Sequence, residues 1–564
     1  MGFIEYARSQ SFEKDILKQR IILDRNLKYP RLEYDFHGSV LFLPQPNLKE
    51  EQISFLGYTY PDNDHGKVEI ARLFKSMVSH LSAHTVTSNY NDFRIWKQGK
   101  NDLLSKFVPS LIEDLMVHTY ITAWYPDRVG DISQASAMSL LRMRNLDTIS
   151  VSSTRLMTSL LIYGNIGLRL EAVQDRGILS QIFNDIDEYK TLLEDAIINE
   201  DLYISKKKID LTDSIYSLLL KNGPIIEAPA LPFTEYYGPH SLFPEMIIPP
   251  SLNMDDLTHT CLTSLGGSKE LFSQSLYKLT ESEALQVFES QLIDDTKEAS
   301  IIKKYDDYMN LSRFKDIEFP RQDQTAFRRA KSRSKREAYQ FTEILNSINN
   351  SDMENFEKRY GILDLSEVIQ VVASKSERTD VFLRDDKMVK SYAWAIVIDS
   401  SRSMQHLRDY ALESTIAINE AASNFLLDHN CWGVYAFNEN LQIIKDFRES
   451  YNTRVRSRIG GLVFEGATYL PDAVEVVGSI LRKRPEELKI MFVISDGQPF
   501  GYSNIFMTTS EVVNRMQDSE MIIIGIGLQS NNVEYIFKNH VTSYNLKDTV
   551  KDIGRIYLAK SEEY

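Results

Sequence analysis

Apolar residues recur every three or four positions through much of the N-terminal part of the chain, which is the period of one face of an α-helix. This pattern predicts helices over Lys67–Ser88, Asp102–Trp124, Ser133–Arg144, Ser152–Gly164, Ile178–Asn199 and Ser205–Leu220. Pro109 is expected to kink or restart the second of these, because Pro lacks the N–H of a helical hydrogen bond. His37–Leu43 is a short apolar run ended by Pro44, which predicts a strand. Residues 1–222 are therefore predicted to form a helical N-terminal domain.

A proline-rich segment follows over residues 223–253. Its seven prolines each remove a backbone donor and restrict the preceding residue, which predicts an extended loop on the surface. Residues 254–390 return to helical periodicity, as in Glu281–Asp316, and are predicted to form a helical extension. Within it, residues 327–336 (FRRAKSRSKR) are the densest positive run. This run has two interpretations, a solvated helix or linker and a docking strip for an acidic partner.

The pattern changes near Tyr392, where short apolar runs begin to alternate with amphipathic ones. Strands are predicted over Trp394–Ile398, Trp432–Phe437, Leu441–Phe447, Lys489–Ile494, Met521–Ile526 and Val541–Tyr544. Helices are predicted over His406–Leu427, Pro471–Arg482, Ser510–Met516, Val533–Phe537 and Lys547–Tyr557. Such alternation is typical of a doubly wound, Rossmann-like α/β domain with a mostly parallel sheet. We assign it to residues 391–564, with a hairpin at Asn438–Asn440 that gives one antiparallel edge strand.

Composition narrows the classes of protein that the chain can represent. With 43% hydrophobic and 25% charged residues it is neither a disordered chain nor a disulfide framework, and a net charge of -15 disfavours nucleic acid as a partner. No apolar run is long enough to span a membrane, and the N-terminus matches neither a signal peptide nor a myristoylation signal. Two cysteines, Cys261 and Cys431, suit a reducing compartment. We expect a cytoplasmic protein without membrane insertion.

The residues that follow the predicted strands carry the candidate chemistry. Ligands of open α/β sheets bind beyond the carboxyl ends of the strands, and these ends are followed by Asp399, Ser401, Ser403 and Asp496, with Thr468 in a loop between them. All five side chains offer hard oxygen atoms, which suit Mg²⁺ (or Mn²⁺), and the set contains no Cys or His for zinc or copper. The glycine-rich nucleotide-binding motifs are absent from the strand–helix junctions.

These residues resemble the metal-ion-dependent adhesion site (MIDAS) of the von Willebrand factor A (VWA) domain. The D-x-S-x-S signature falls on Asp399, Ser401 and Ser403, and the loop threonine and aspartate fall on Thr468 and Asp496. The resemblance implies that these five residues are the metal ligands and that an Asp or Glu carboxylate of a client protein completes the coordination. Arg402 stands where the family usually has Gly, and Ala467 precedes the threonine where Gly is common.

Within the family, the chain is similar to the intracellular branch. Ile494–Pro499 and Ile523–Gly527 carry this likeness, together with the position of the module behind a long helical region. The branch includes the cobaltochelatase T subunit and the nitric-oxide-reductase and Rubisco activation proteins, which act with MoxR-type AAA+ ATPases. The resemblance implies a non-catalytic, chaperone-like adaptor that recruits and activates a client with such an ATPase. The alternative is a non-catalytic subunit of a cobalt or magnesium chelatase.

A second constellation lies in the N-terminal helices. His80 and His84 are one helical turn apart, and Glu113, Asp114 and His118 stand on a second predicted helix. Two histidines and a downstream Glu could bind zinc, which gives a weaker alternative, a zinc hydrolase. Metallopeptidase helices require H-E-x-x-H, however, and Leu81 occupies the position of the general base. Packing or hydrogen-bonded histidines are the simpler interpretation.

Overall fold

The computed structural model describes residues 3–13, 18–35, 38–49, 51–198, 205–235, 238, 240–249, 254–266, 281–309, 312–349, 354–358, 362–363, 365–376, 378, 381–385, 391–426, 428–517 and 521–563. The chain divides into two compact units, Met1–Lys297 and Glu298–Tyr564. The ends of two predicted helices, Asn199 and Leu427, and the prolines Pro239 and Pro250 lie outside the described residues.

The N-terminal unit is mainly helical. Its helices are Phe3–Gln10, Asp64–Thr87, Asp102–Trp124, Pro126–Arg142, Ser152–Ile166, Ser180–Ile198, Ser205–Lys221 and Asp255–Ser264, and Glu281–Met309 contains the division between the units. Asparagine side chains cap the N-termini of two of the long helices. Asn63 accepts a hydrogen bond from Gly66 N at 2.8 Å, and Asn101 accepts one from Leu104 N at 3.2 Å. The helical periodicity is confirmed, and one helix runs through Pro109, so the alternative that this proline restarts the helix is wrong.

The N-terminal unit also contains strands that form small sheets. One contains Gln19–Asp24, Arg31–Asp35 and Gly38–Pro44, and the other contains Asn47–Lys49, Gln52–Phe55, Tyr58–Pro61 and Met246–Ile247. The strand predicted over His37–Leu43 is confirmed as Gly38–Pro44, which pairs in parallel with Gln19–Asp24. The sequence did not predict the other strands of these sheets, since most have only two to six residues, too few to establish a period.

The proline-rich segment is a loop over most of its described residues, but its predicted place on the surface is wrong for residues 228–235. These residues are all buried, and Leu231 and Phe233 belong to the apolar core of the N-terminal unit. They form no helix or strand. Proline content therefore indicated the conformation of this segment but not its burial.

The C-terminal unit contains a seven-stranded sheet. We number its strands in chain order: β1 Ile317–Glu318, β2 Tyr392–Asp399, β3 Trp432–Phe437, β4 Leu441–Lys445, β5 Leu488–Ser495, β6 Met521–Leu528 and β7 Asn539–Ser543. The spatial order is β7-β6-β5-β2-β3-β4-β1, and every pair is parallel except β3 with β4. The α/β fold and the hairpin are confirmed. The antiparallel strand β4 is not the edge strand that the sequence predicted, because β1 pairs with it on the outer side.

Helices cover this sheet. They are Gln324–Asn349, Arg408–Phe425, Thr453–Gly460, Leu470–Arg482, Ile505–Met516 and Leu546–Glu563, and Leu365–Ser374 is a further helix of the unit. The unit also has the short strands Gln322–Asp323, Glu354–Lys358, Ile362–Leu363 and Phe382–Asp385. Strands β2, β3, β5 and β6 are buried at every position, which explains their continuous apolar sequences. The sequence missed Thr453–Gly460, a short helix with three basic residues.

The basic run lies in the helix Gln324–Asn349, which the sequence assigned to the helical extension. Phe327 and Phe341 of this helix belong to the same apolar core as Trp394 of β2. Lys331 Nζ lies 2.7 Å from Glu420, and Arg333 Nε lies 2.5 Å from Glu413, both on the helix Arg408–Phe425. Two cations of the run are thus paired within the unit itself, which supports the interpretation as an ordinary helix rather than as a docking strip.

Candidate functional site

The strand order places the candidate residues at one edge of the sheet. The chain leaves β2 for β3 on one side and later returns to β5 on the other side, so the carboxyl ends of β2 and β5 flank the switch point. Asp399 is the last residue of β2, and Asp496 follows the last residue of β5. A crevice forms at such a point, because the neighbouring connections run to opposite faces of the sheet.

Asp399 is fully buried and held by two hydrogen bonds. Its Oδ1 accepts from Ser401 N at 2.9 Å, and its Oδ2 accepts from Ser495 Oγ at 2.7 Å. Ser495 Oγ in turn accepts from Gly497 N at 3.0 Å. The sequence did not identify Ser495 as a site residue, although its place directly before Asp496 was a usable signal. It orients the carboxylate of Asp399 rather than facing the crevice as a further donor.

The two serines of the signature are neighbours. Ser401 Oγ and Ser403 Oγ lie 3.1 Å apart, with Ser401 buried and Ser403 exposed. Ser400, between Asp399 and Ser401, points elsewhere: its hydroxyl donates to the carbonyl of Phe437 at 3.0 Å. The hydroxyls of Ser401 and Ser403 therefore lie together, whereas that of Ser400 is directed to β3.

Two acidic residues, Asp399 and Asp496, interact electrostatically at the switch point. Burial, and after it the negative charge of Asp496, raise the pKa of Asp399 from its ordinary value of 3.8 to about 7. Hydrogen bonds from Ser401 and Ser495 offset this only in part, and in the described part of the chain no Lys or Arg is paired with the Asp399 carboxylate. The site therefore holds excess negative charge that a cation would neutralise.

Glycine and backbone contacts fix the turns around the site. Gly497, directly after Asp496, has φ +70°, and a Cβ there would come within 2.8 Å of Val533 N, so no other residue fits without a shift. Gln498 N donates to Asp496 Oδ1 at 3.0 Å. These contacts hold the acidic side chain in place as the chain leaves β5.

The loop that carries Thr468 packs against the same edge. In this loop the carbonyl oxygen of Gly466 accepts a hydrogen bond from Arg402 N at 3.2 Å. Thr468 pairs with Phe500 in an isolated β-bridge. Thr468, Ser403 and Arg402 line one open cleft with a volume of about 1020 Å³. The structure thus brings all five predicted residues to the carboxyl edge, three of them linked by hydrogen bonds.

The rim of this cleft contains a feature that sequence reasoning missed. Phe500 is 74% exposed beside Thr468, and Arg402, Glu465 and Gln498 complete an exposed polar surface around it. Phe500 thus places one apolar side chain at the mouth of an otherwise polar cleft. A single Phe in a loop carries no periodic signal, so the sequence offered no means of finding it.

The N-terminal histidines also come together, with one change from the expected partner. His84 Nε2 lies 3.1 Å from Asp114 Oδ1 and 3.2 Å from His80 Nε2. Glu113, the downstream Glu considered from the sequence, forms an ion pair with Lys208 instead. All of these groups are buried.

Residues 394–498 match the family model of the von Willebrand factor type A domain. The chain therefore contains a VWA domain in its C-terminal unit, preceded by a large helical region. No curated protein matches the sequence. Among the described residues, no helix has both the length and the apolarity needed to cross a bilayer.

Solved structures of three proteins resemble this chain in fold. The pilus adhesin SpaC from Lactobacillus rhamnosus GG has 15% identity over 30% of this chain and 30% of its own, with a TM-score of 0.24. A von Willebrand factor type A protein from Catenulispora acidiphila has 14% identity over 30% of this chain and 43% of its own, with a TM-score of 0.25. The PilB minor pilin from Streptococcus sanguinis has 15% identity over 31% of this chain and 64% of its own, with a TM-score of 0.24. The match spans less than two thirds of each protein, and it concerns the fold alone.

Proposed function

We propose that the VWA domain is a metal-dependent binding module that recruits a client protein. The observation that carries this proposal is the group of oxygen atoms at the switch point. There the paired hydroxyls of Ser401 and Ser403, 3.1 Å apart, lie beside the buried carboxylates of Asp399 and Asp496, and among the described residues no Lys or Arg is paired with the Asp399 carboxylate. Such a donor set fits a hard divalent cation, Mg²⁺ or Mn²⁺, in a MIDAS arrangement.

Each side chain has a distinct role in this proposal. Ser401, Ser403 and Thr468 would hold the cation through neutral hydroxyls, and Asp399 and Asp496 would supply most of the negative charge. Ser495 and the backbone N–H of Ser401 keep the carboxylate of Asp399 in one orientation. A bound Mg²⁺ would supply a positive charge with an open coordination position, which a carboxylate of the client could fill.

The cleft around the site supports a protein as the ligand. It is open, it presents the exposed Phe500 as an apolar contact, and it places Arg402 where it would attract an acidic segment. The client would thus present an Asp or Glu beside an apolar residue. Arg402, which replaces the usual Gly of the family signature, would contribute to the choice of an acidic client.

We further propose that the chain has no catalytic activity and acts in the cytoplasm with a MoxR-type AAA+ ATPase, which would remodel the recruited client. This part rests on the resemblance of Ile494–Pro499 and Ile523–Gly527 to the intracellular branch of the family. Cys261 and Cys431 are both free, which suits a reducing compartment.

Two neighbouring serines provide a matched test of the metal site. Ser401→Ala removes a proposed ligand, whereas Ser400→Ala removes a hydroxyl that bonds only the Phe437 carbonyl, which also accepts from Ser400 N. We expect Mg²⁺ to raise the melting temperature of the wild type and of Ser400→Ala, but not that of Ser401→Ala. An identical Mg²⁺ response in all three proteins, or no response in the wild type, would contradict the proposal.

A further inference from the structure

We propose that the N-terminal unit contains a second metal site, in which His80, His84 and Asp114 bind a transition-metal dication of the zinc class. His80 and His84 lie on the helix Asp64–Thr87, one turn apart, and Asp114 comes from the helix Asp102–Trp124. The three are buried, and their ligand atoms lie within 4.8 Å of one another. This site is independent of the proposed function of the VWA domain.

The spacing of the three atoms is that of metal ligands. His80 Nε2, His84 Nε2 and Asp114 Oδ1 form a triangle with sides of 3.1, 3.2 and 3.4 Å. A tetrahedral Zn²⁺ with bonds of about 2.0–2.1 Å separates its ligand atoms by about 3.3–3.4 Å. Two imidazole nitrogens and one carboxylate oxygen are also a donor set that zinc prefers and that Mg²⁺ does not.

Surrounding hydrogen bonds orient these ligands. Asn165 Nδ2 donates to Asp114 Oδ2 at 2.9 Å, which leaves Oδ1 directed at the two imidazoles. His84 Nδ1 lies 2.8 Å from Ser88 Oγ, so that a proton on Nδ1 leaves the lone pair of Nε2 inside the triangle. Within the described residues, His80 Nδ1 has no hydrogen-bond partner, and only its Nε2 is engaged.

A third histidine, His118, lies close to the triangle but forms its hydrogen bond with Asn165. The ring of His118 lies 5.5 Å from that of His80, and its Nε2 is 3.0 Å from Asn165 Oδ1. Burial lowers the pKa of His118 to about 4, so its ring is neutral at pH 7 and donates this Nε2 proton to Asn165. His118 therefore orients the Asn165 amide, and it acts on Asp114 through Asn165 rather than as a ligand.

Charge and burial indicate the purpose of the site. Asp114 and Glu235, a buried carboxylate of the proline-rich segment whose charge acts on both imidazoles, together balance a dication. His80 and His84 are 0% exposed, which leaves no path for a substrate to reach the ion. The ion would thus join two helices of the N-terminal core rather than support hydrolysis.

The test measures zinc bound to the full chain after removal of metals with EDTA and dialysis against Zn²⁺ in excess Mg²⁺. We expect one Zn²⁺ per wild-type chain, an affinity at least about 100-fold lower for His80→Gln and for His84→Gln, and a smaller loss of roughly 10-fold for His118→Gln, which acts only through Asn165 and Asp114. Asp399→Asn should retain its zinc, which separates this site from that of the VWA domain.

Because a buried substitution can prevent folding, a second measurement uses the wild type alone. Co²⁺ added in place of Zn²⁺ should give the visible absorption of a tetrahedral ion, and Zn²⁺ should displace it. The proposal is overturned if the wild type binds no Zn²⁺ and no tetrahedral Co²⁺, in which case a proton shared by His84 and Asp114 occupies the triangle. It is also overturned if His118→Gln loses as much zinc affinity as the ligand variants.

Discussion

Replacing Asp399 with Asn should stabilise the metal-free protein at neutral and alkaline pH. Asp399 is buried next to Asp496, and its ionised form is disfavoured in the fold. Asn has nearly the same shape, can accept from Ser401 N and can donate to Ser495 Oγ, but carries no charge. The variant therefore removes the repulsion while leaving the packing at the end of β2 intact.

The magnitude follows from the shift of the pKa. Folding raises the pKa of Asp399 from 3.8 to about 7, so between these values the native state binds more protons than the unfolded state. The free energy of unfolding of the wild type consequently falls as the pH rises through this window, and it levels above about pH 7. About three pKa units correspond to about 4 kcal/mol, which is the upper limit of the gain for Asp399→Asn at pH 8.

The assay is hydrogen exchange of the β2 peptide in the full chain, with EDTA present, from pH 5 to pH 8. Because β2 is central and buried, its slowest amides report unfolding of the C-terminal unit. The difference in the free energy of unfolding between the variant and the wild type should grow with pH. Saturating Mg²⁺ should abolish or reverse this difference by stabilising only the wild type. Asp552→Asn, on the exposed face of the last helix, is the control. A difference that stays constant from pH 5 to pH 8 would refute the reasoning.

Three further substitutions test the packing of the C-terminal unit, each by the same exchange measurement. Phe341→Ala should cost about 3–5 kcal/mol because the ring is fully buried against Trp394, while Tyr339→Ala on the exposed face of the same helix should change stability by less than about 0.5 kcal/mol. Arg458→Met should cost about 3–5 kcal/mol, since it removes one of the cations that pair with the buried Glu298; Arg458→Lys should recover part of the loss. Lys331→Ala should cost no more than about 1 kcal/mol, and a larger loss would show that the basic run is structurally more important than a half-exposed ion pair allows.

The sequence predicted the α/β half well because its strands are buried on both faces. In β2, β5 and β6 the positions are apolar except for Asp399, Lys489 and Ser495 at or next to a strand end, so the runs stand out from the amphipathic helices around them. The same regularity locates the strand ends, and with them Asp399 and Asp496. Residues that follow the parallel strands can thus be assigned to the carboxyl edge of the sheet without a structure.

The remaining features depend on contacts between segments that are distant in the chain. Nothing local shows that Ile317–Glu318 pairs with β4, that the proline-rich residues 228–235 are buried, or that Glu113 pairs with Lys208 and leaves Asp114 to the histidines. Helical spacing placed His80 beside His84, but the partner from the second helix is selected by the packing of the two helices. Tertiary packing, rather than propensity, decides each of these cases.

Recovery of the client from the native host tests the central claim most directly. Tagged wild type, Ser401→Ala and Ser400→Ala would each be used for affinity purification in Mg²⁺ and in EDTA, with quantification by mass spectrometry. We predict that the same proteins are enriched by wild type and by Ser400→Ala in Mg²⁺ only, and by Ser401→Ala in neither condition. Equal recovery by Ser401→Ala, or recovery by the wild type that persists in EDTA, would contradict a client held through the metal.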